Sequence, residues 1–304
     1  MDDFVRDVLE TVRLKSAVYF NHAFCGPWGM NVKSGTFAQF HFVTGGNCLV
    51  RIDSEEHKLF RGDLIIFPKG HQHEIKAEIN SRCLDGQDVV QDIIKGNSPF
   101  PKGEVSTHLV CGHYELDWDV SHFILQNLPK YILIRNEHYG RFDLVKTILD
   151  IIVEELSTKE MGYEIVTLRF AEILFVSILR QFYLKQTQSK TNLFKDRAIY
   201  NSVNYIHNNL AASLTIDKLS QFSGISRTLF INRFKESIGN TPLAYIKTWR
   251  MTKAKQLLKY SALTLDEISE QVGYASASAF NRVFKQTVGV SPKKFRDTSM
   301  AEVA

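Results

Sequence analysis

The feature that most constrains this chain is an internal repeat near its C-terminal end. One copy runs Asp217-Lys-Leu219, Gly224-Ile225-Ser226, Phe230, Phe234-Lys235, Gly239 and Pro242; the other runs Asp266-Glu-Ile268, Gly273-Tyr274, Ser276, Phe280, Phe284-Lys285, Gly289 and Pro292. From Ser226 and Ser276 onward the offset is 50 residues, and ahead of the turn it is 49, so the second copy carries one extra residue in its turn. A period of this size marks one supersecondary unit used twice.

Each copy has the same physical logic. A short helix (216–222; 265–272) supplies apolar residues on one face, and a Gly takes the left-handed conformation that ends it. Ser226 or Ser276 then stands where an N-cap belongs, opening a second helix whose Phe230 and Phe234, or Phe280 and Phe284, point inward at i, i+4. That is a helix-turn-helix, expected at about 216–239 and 265–289, with the second helix offered to a major groove.

The outward positions carry the function. In the first unit they are Arg227, Thr228, Ile231, Asn232 and Lys235; in the second, Ala277, Ser278, Asn281, Arg282 and Lys285. Arg reads guanine bidentately, Asn reads adenine, Ser and Thr bond base edges or phosphates, and Ile touches a thymine methyl. The bland alternative for one copy alone is a helical hairpin with an ordinary polar face. Two copies joined by residues 242–259 favour DNA: a helix of that length spans about 27 Å, against about 34 Å between successive major-groove faces. The connector also presents Lys247, Arg250, Lys253, Lys255 and Lys259 for phosphates.

Charge agrees once it is divided. Residues 196–304 hold 15 Lys and Arg against 8 Asp and Glu, a surplus of seven, whereas the rest of the chain is acidic by three. Such an asymmetry is the footprint of a polyanion site on one domain.

Residues 1–135 read as a β-rich domain, from short apolar and β-branched runs at 37–43, 48–52, 63–67 and 107–111 bounded by turn residues. Several short strands in succession argue for a sandwich or small barrel. The period then changes: 142–156 and 163–183 are amphipathic helices that cover the β domain or pair with a second subunit, giving a helical dimerisation and linker region at 136–190. The polar stretch 186–192 is the expected linker, and 195–300 forms an all-helical domain. The fold class is therefore α+β, with a β-barrel or sandwich, two helices, and a domain of two helix-turn-helix units.

The start, Met1-Asp2-Asp3-Phe4, lacks the layout of a signal peptide, and no apolar run reaches about 18 residues. A cytoplasmic protein with no membrane partner is expected. The four cysteines, Cys25, Cys48, Cys83 and Cys111, form no CxxC pair.

From Leu219 to Arg296, including Ile268-Ser-Glu-Gln-Val-Gly273-Tyr274, Phe280-Asn-Arg282-Val-Phe284-Lys285 and Gly289-Val-Ser-Pro292-Lys-Lys-Phe-Arg296, the sequence resembles the DNA-binding domain of AraC-type transcriptional regulators. The resemblance implies two recognition helices in successive major grooves. It points to Thr228, Ile231 and Asn232, and to Ser278, Asn281 and Arg282. In the first helix, where the family often has Arg, this chain has Asn232 followed by Arg233, and either of the two is a candidate to face DNA.

Gly62-Asp-Leu-Ile-Ile-Phe-Pro68-Lys-Gly70-His-Gln-His73, with Gly26-Pro27-Trp28-Gly29 and Leu109-Val110-Cys111-Gly112, resembles the cupin-like sensor half of such regulators. Three readings of that half stand together. An organic effector would be lined by Trp28, Phe40, His41 and His73. A redox sensor would use Cys25 and Cys111 beside their glycines, as thiols of depressed pKa. A metal would need His73 and His41 plus His71 or another distant side chain, because the His-x-His pair and downstream Glu of the metal-binding cupin motif are absent. The expected protein is a regulator and not an enzyme. It carries no cofactor, binds double-stranded promoter DNA, forms a homodimer and makes an RNA polymerase contact. The rival is a metal-dependent cupin enzyme with an appended helical domain.

Overall fold

The computed structural model describes residues 4–11, 13–116, 125, 127–138, 143–185, 193 and 196–303. The described residues fall into two compact units. One comprises Leu14–Leu116 and Asn127–Phe182; the other gathers the described residues of Met1–Arg13, Asp117–Gln126 and Tyr183–Ala304. The expected linker at 186–192 lies outside the described residues.

The chain opens with a helix, α1 (Phe4–Thr11), and then enters the β unit. Its strands are β1 (Lys15–Cys25), β2 (Gly29–Val32), β3 (Ala38–Ile52), β4 (Glu55–Phe60), β5 (Leu64–Phe67), β6 (His73–Lys76) and β7 (Leu84–Asp85). The helix α2 (Gly86–Ile94) follows, then β8 (Val105–Glu115) and β9 (Ile132–Ile134). The spine is β3. Its first half pairs with β8 and β5, and its second half pairs with β4 and β6, so one strand joins two sheets. The corner is Gly45-Gly46, where the register slips; a Cβ on Gly46 would lie 2.0 Å from the Ser106 carbonyl. The two runs that read as separate strands at 37–43 and 48–52 are one bent strand.

Side chains alternate across β3. His41 and Val43 face the interior, with Trp28, Met30, Val50, Phe67 and Ile75 among the buried residues there. Phe40 faces the other way, against Tyr114 at 5.3 Å between ring centroids, and Tyr114 in turn meets Phe175 at 4.7 Å. That outer face is covered by α3 (Leu144–Thr158) and α4 (Tyr163–Lys185). Val145, Ile148, Leu149 and Ile152 of α3, and Ala171, Leu174, Phe175 and Ile178 of α4, are buried. Gly112 on β8 lets Phe40 and β1 approach: a Cβ there would sit 2.4 Å from the Ala17 carbonyl and 2.6 Å from the Phe40 ring. Gly112→Ala is therefore expected to cost about 1–3 kcal/mol by overpacking. Calorimetry of the full chain checks this against Gly103→Ala, where nothing stands within 4 Å of the new methyl.

The second unit is helical: α1 joins α5 (Arg197–Asn208), α6 (Ile216–Ser223), α7 (Arg227–Ile238), α8 (Pro242–Tyr260), α9 (Leu265–Gln271), α10 (Ala277–Val288) and α11 (Pro292–Val303). The sequence pattern assigns residues 1–135 to the β domain, but α1 packs elsewhere. Its Val8 and Thr11 are fully buried. Asp7 reaches His207 at 2.7 Å and Lys253 at 2.8 Å, and Lys253 also donates to Thr11 Oγ1 at 2.9 Å. Burial works to raise the Asp7 carboxyl, but the His207 hydrogen bond and the Lys253 charge prevail and hold it below the usual carboxylate range.

Candidate nucleic-acid interface and sensor cavity

Caps and turns set the two reading helices. Ser226 accepts from the Leu229 amide and Ser276 from the Ala279 amide, each closing the first turn of its helix. The preceding helices end on Gly224, with φ +67°, and near Gly273, with φ +79°. Gly273 is under a second constraint: a Cβ there would lie 2.5 Å from the Leu210 carbonyl, whereas one on Gly224 would meet nothing. Phe230 and Phe234 anchor α7, and Phe280 and Phe284 anchor α10; all four are fully buried. Around α10 the core adds Met251, Ala254, Leu258, Ile268 and Val272.

With those faces fixed inward, the opposite faces are set. On α7, Arg227, Thr228, Asn232 and Lys235 are exposed and Ile231 is half-buried. On α10, Ser278, Asn281, Arg282 and Lys285 are exposed. Leu229, absent from the sequence reading, is also exposed on α7, at 45%.

Two arginines are placed differently from what charge alone suggests. Arg250, expected on the phosphate-facing side of α8, donates to the Leu210 and Ala212 carbonyls at 2.9 Å each and lies over the Tyr274 ring. It clasps the loop after α5 to the second turn, so its guanidinium is held by backbone carbonyls of its own unit. Arg233 turns back to Asp196 in a two-pronged pair at 2.7 and 2.6 Å, so Asn232 is the member of that pair that faces outward. Arg227 pairs with Asp217 at 2.9 Å with both side chains exposed, a contact of little strength.

In the β unit the candidate residues separate. A cavity of about 450 Å³ is lined by apolar side chains including Phe20, Met30 and Phe37, and by Gln39, His41 and Cys111. Trp28 and Phe40 do not line it. Trp28 is buried in the core against Phe24, with its indole N–H on Thr107, and Phe40 is on the outer face of β3. His73 lies behind His41, stacked on Phe67 at 3.6 Å.

Cys111, His41 and His73 form one hydrogen-bonded chain whose direction is fixed at its far end. His73 Nδ1 is 2.8 Å from the His71 carbonyl, which only accepts, so Nδ1 carries the proton. His73 Nε2 therefore accepts from His41 Nε2 at 2.8 Å, and His41 Nδ1 accepts from the Cys111 thiol at 3.0 Å. The chain requires neutral rings and an intact thiol. Burial, then the facing His73, hold His41 well below the usual histidine range; burial brings His73 down to about 4. Burial likewise pushes the Cys111 thiol well up, the reverse of the depressed pKa that the redox reading requires. Cys25 is half-buried at the end of β1. The donors do not converge as a metal would need. Cys111 and His73 engage opposite nitrogens of His41, and the His71 ring turns away to Asp53 at 3.2 Å.

Comparison with known proteins covers both units. Residues 3–183 match the family described as Cupin, and residues 219–298 match a family described as Helix-turn-helix domain. A putative AraC-like transcription regulator of Streptomyces antibioticus is 23% identical over 98% of this chain and 99% of its own length. The xylose operon regulatory protein of Escherichia coli is 36% identical over 34% of this chain and 26% of its own. Among solved structures, the DNA-binding domain of AdpA, a global transcriptional factor, in complex with a target DNA is 27% identical over 34% of this chain and 92% of that one, with a TM-score of 0.33. With a cupin domain matched over more than half of its length and a helix-turn-helix domain behind it, the chain belongs to the AraC-like transcriptional regulators that join an N-terminal cupin domain to a DNA-binding helix-turn-helix domain.

Proposed function

We propose that the protein reads promoter DNA through α7 and α10 and that its cavity holds a small uncharged effector. The observation that carries the first part is the pairing of two buried Phe anchors with an outward polar face on each helix. Thr228, Ile231 and Asn232, and Ser278, Asn281 and Arg282, meet base edges; Arg227, Lys235 and Lys285 lie on phosphates. The connector α8 has 19 residues, about 28 Å of helix, on the scale of the groove repeat of about 34 Å. In solution, the full chain is expected to prefer its own upstream region over random duplex at about 150 mM salt, by fluorescence anisotropy; equal affinity for both would overturn the reading.

Arg282→Ala is expected to weaken binding at a specific site by about 1–3 kcal/mol and to relax preference at one base pair. A loss equal on all duplexes would make Arg282 a phosphate contact instead.

The effector reading rests on the polar lining of the cavity. His41 and Cys111 are neutral, Lys33 is neutralised by Asp85 at 2.6 Å, and Gln39 Oε1 is buried with no hydrogen-bond partner among the described residues. A mostly apolar molecule with one donor for Gln39 suits that lining. No enzymatic step is assigned, since the histidines bond one another in place of an open ligand set. In this reading the regulator works in the cytoplasm as a homodimer in contact with RNA polymerase. Ile165 and Ile173, exposed on α4, support the dimer, which sedimentation of the full chain tests.

A further inference from the structure

We infer that the two reading helices recognise chemically different halves of one site, a thymine-rich half without guanine readout under α7 and a guanine-containing half under α10. This rests on the DNA-reading role proposed above and adds which bases each helix selects.

The argument starts from what is available on each face. Bidentate recognition of guanine needs a guanidinium or ammonium near the N-terminal turns of the helix, where base edges are met. On α7 one arginine is drawn off the reading face and the other stands at its edge, assigned above to phosphate. Arg233 is drawn off the face by its two bonds to Asp196, with the Asp196 carboxylate largely buried. Arg227 is the first residue of the helix and leans to Asp217 on α6. Lys235 lies eight residues along, about 12 Å from the start of the helix, and Lys285 occupies the same place on α10, so neither distinguishes the halves. What remains at the front of α7 is Thr228 and Asn232, flanked on one side by Ile231 and on the other by Leu229. Methyl and methylene groups at a major-groove surface contact the thymine methyl, and Asn pairs with adenine. Both select A·T pairs.

The corresponding front of α10 is Ser278, Ala279, Asn281 and Arg282. Ala279 replaces Leu229, Asn281 replaces Ile231 and Arg282 replaces Asn232, so two bulky apolar groups are lost and one guanidinium is gained. Arg282 is exposed and makes no ion pair or hydrogen bond with the described residues, which leaves it available for guanine.

The test uses the full chain and a random duplex library. Selection at about 150 mM salt is expected to return a bipartite site with guanine in one half only. Arg282→Ala should relax that guanine, by about 5- to 150-fold in discrimination, and so mark the half under α10. Deoxyuridine in place of thymidine removes only the C5-methyl. In the unmarked half it is expected to weaken binding by about fourfold per contacted methyl, and the double variant Leu229→Ala/Ile231→Ala should no longer sense it. Asn232→Arg should bring guanine into that half. Guanine in both halves of the wild-type site, or a deoxyuridine effect that is equal in the two halves or survives the double variant, would overturn the inference and leave the regulator reading standing. A selection that returns no motif would overturn both.

Discussion

Phe284→Ala is expected to remove about 3–5 kcal/mol from the helical unit, the cost of truncating a fully buried aromatic. The ring sits 5.5 Å from Phe280 and 5.7 Å from Phe295, and it closes the cluster that holds α9 and α10 on α8. Domains of this size have a total stability of about 5–15 kcal/mol, so the loss is a large share of what is available. In hydrogen exchange on the full chain, the amides of α9 and α10 should lose protection, and DNA affinity should fall to its non-specific level. Phe284→Leu, which keeps most of the volume, should recover much of both. Protection unchanged from wild type would mean that the cluster is not what positions the reading helix.

That helix and its partner were readable in the sequence because every determinant is local: an N-cap, a left-handed Gly and two Phe at i, i+4 lie within one turn unit. What escaped was set by pairings distant along the chain. Arg233 and Asp196 are 37 residues apart, and Arg250 is 40 from Leu210, so nothing in the charge pattern shows that one guanidinium is held back and the other held in a clasp. In the β unit, the fold class followed from strand-like runs, but Gly45-Gly46 reads as a turn between two strands when it is a corner inside one. Phe40 and His41, neighbours in sequence, part company in the fold for a reason that the pleat itself supplies. Adjacent residues on a strand face opposite sides, so Phe40 and His41 do not share a cavity, and the residue that does share it with His41 is Gln39, two positions away.

Acid should act on the β unit first. His73 titrates near 6.5 in an unfolded chain but is held to about 4 in the fold, because burial disfavours its charged form. The sign follows from proton counts: between those values the unfolded state binds the extra proton, so stability is full above pH 6.5 and is lost as the pH falls toward 4. A shift of that size corresponds to about 3 kcal/mol, and His41, lowered in the same direction, adds to it. Chemical-shift titration of the histidine rings is the direct check, with urea unfolding at pH 7 and pH 4.5 beside it. A His73 midpoint at its ordinary value would remove the effect.

The short N-terminal helix has a topological consequence. Since α1 belongs with the reading helices, the helical unit is gathered from separated stretches of chain, the described residues of Met1–Arg13, Asp117–Gln126 and Tyr183–Ala304, and a cut at one point cannot release it whole. A fragment that starts at residue 195 is accordingly a different object from the domain as the chain builds it. It lacks Asp7, the carboxylate that bridges His207 and Lys253, and with it the helix that covers α5 and α8.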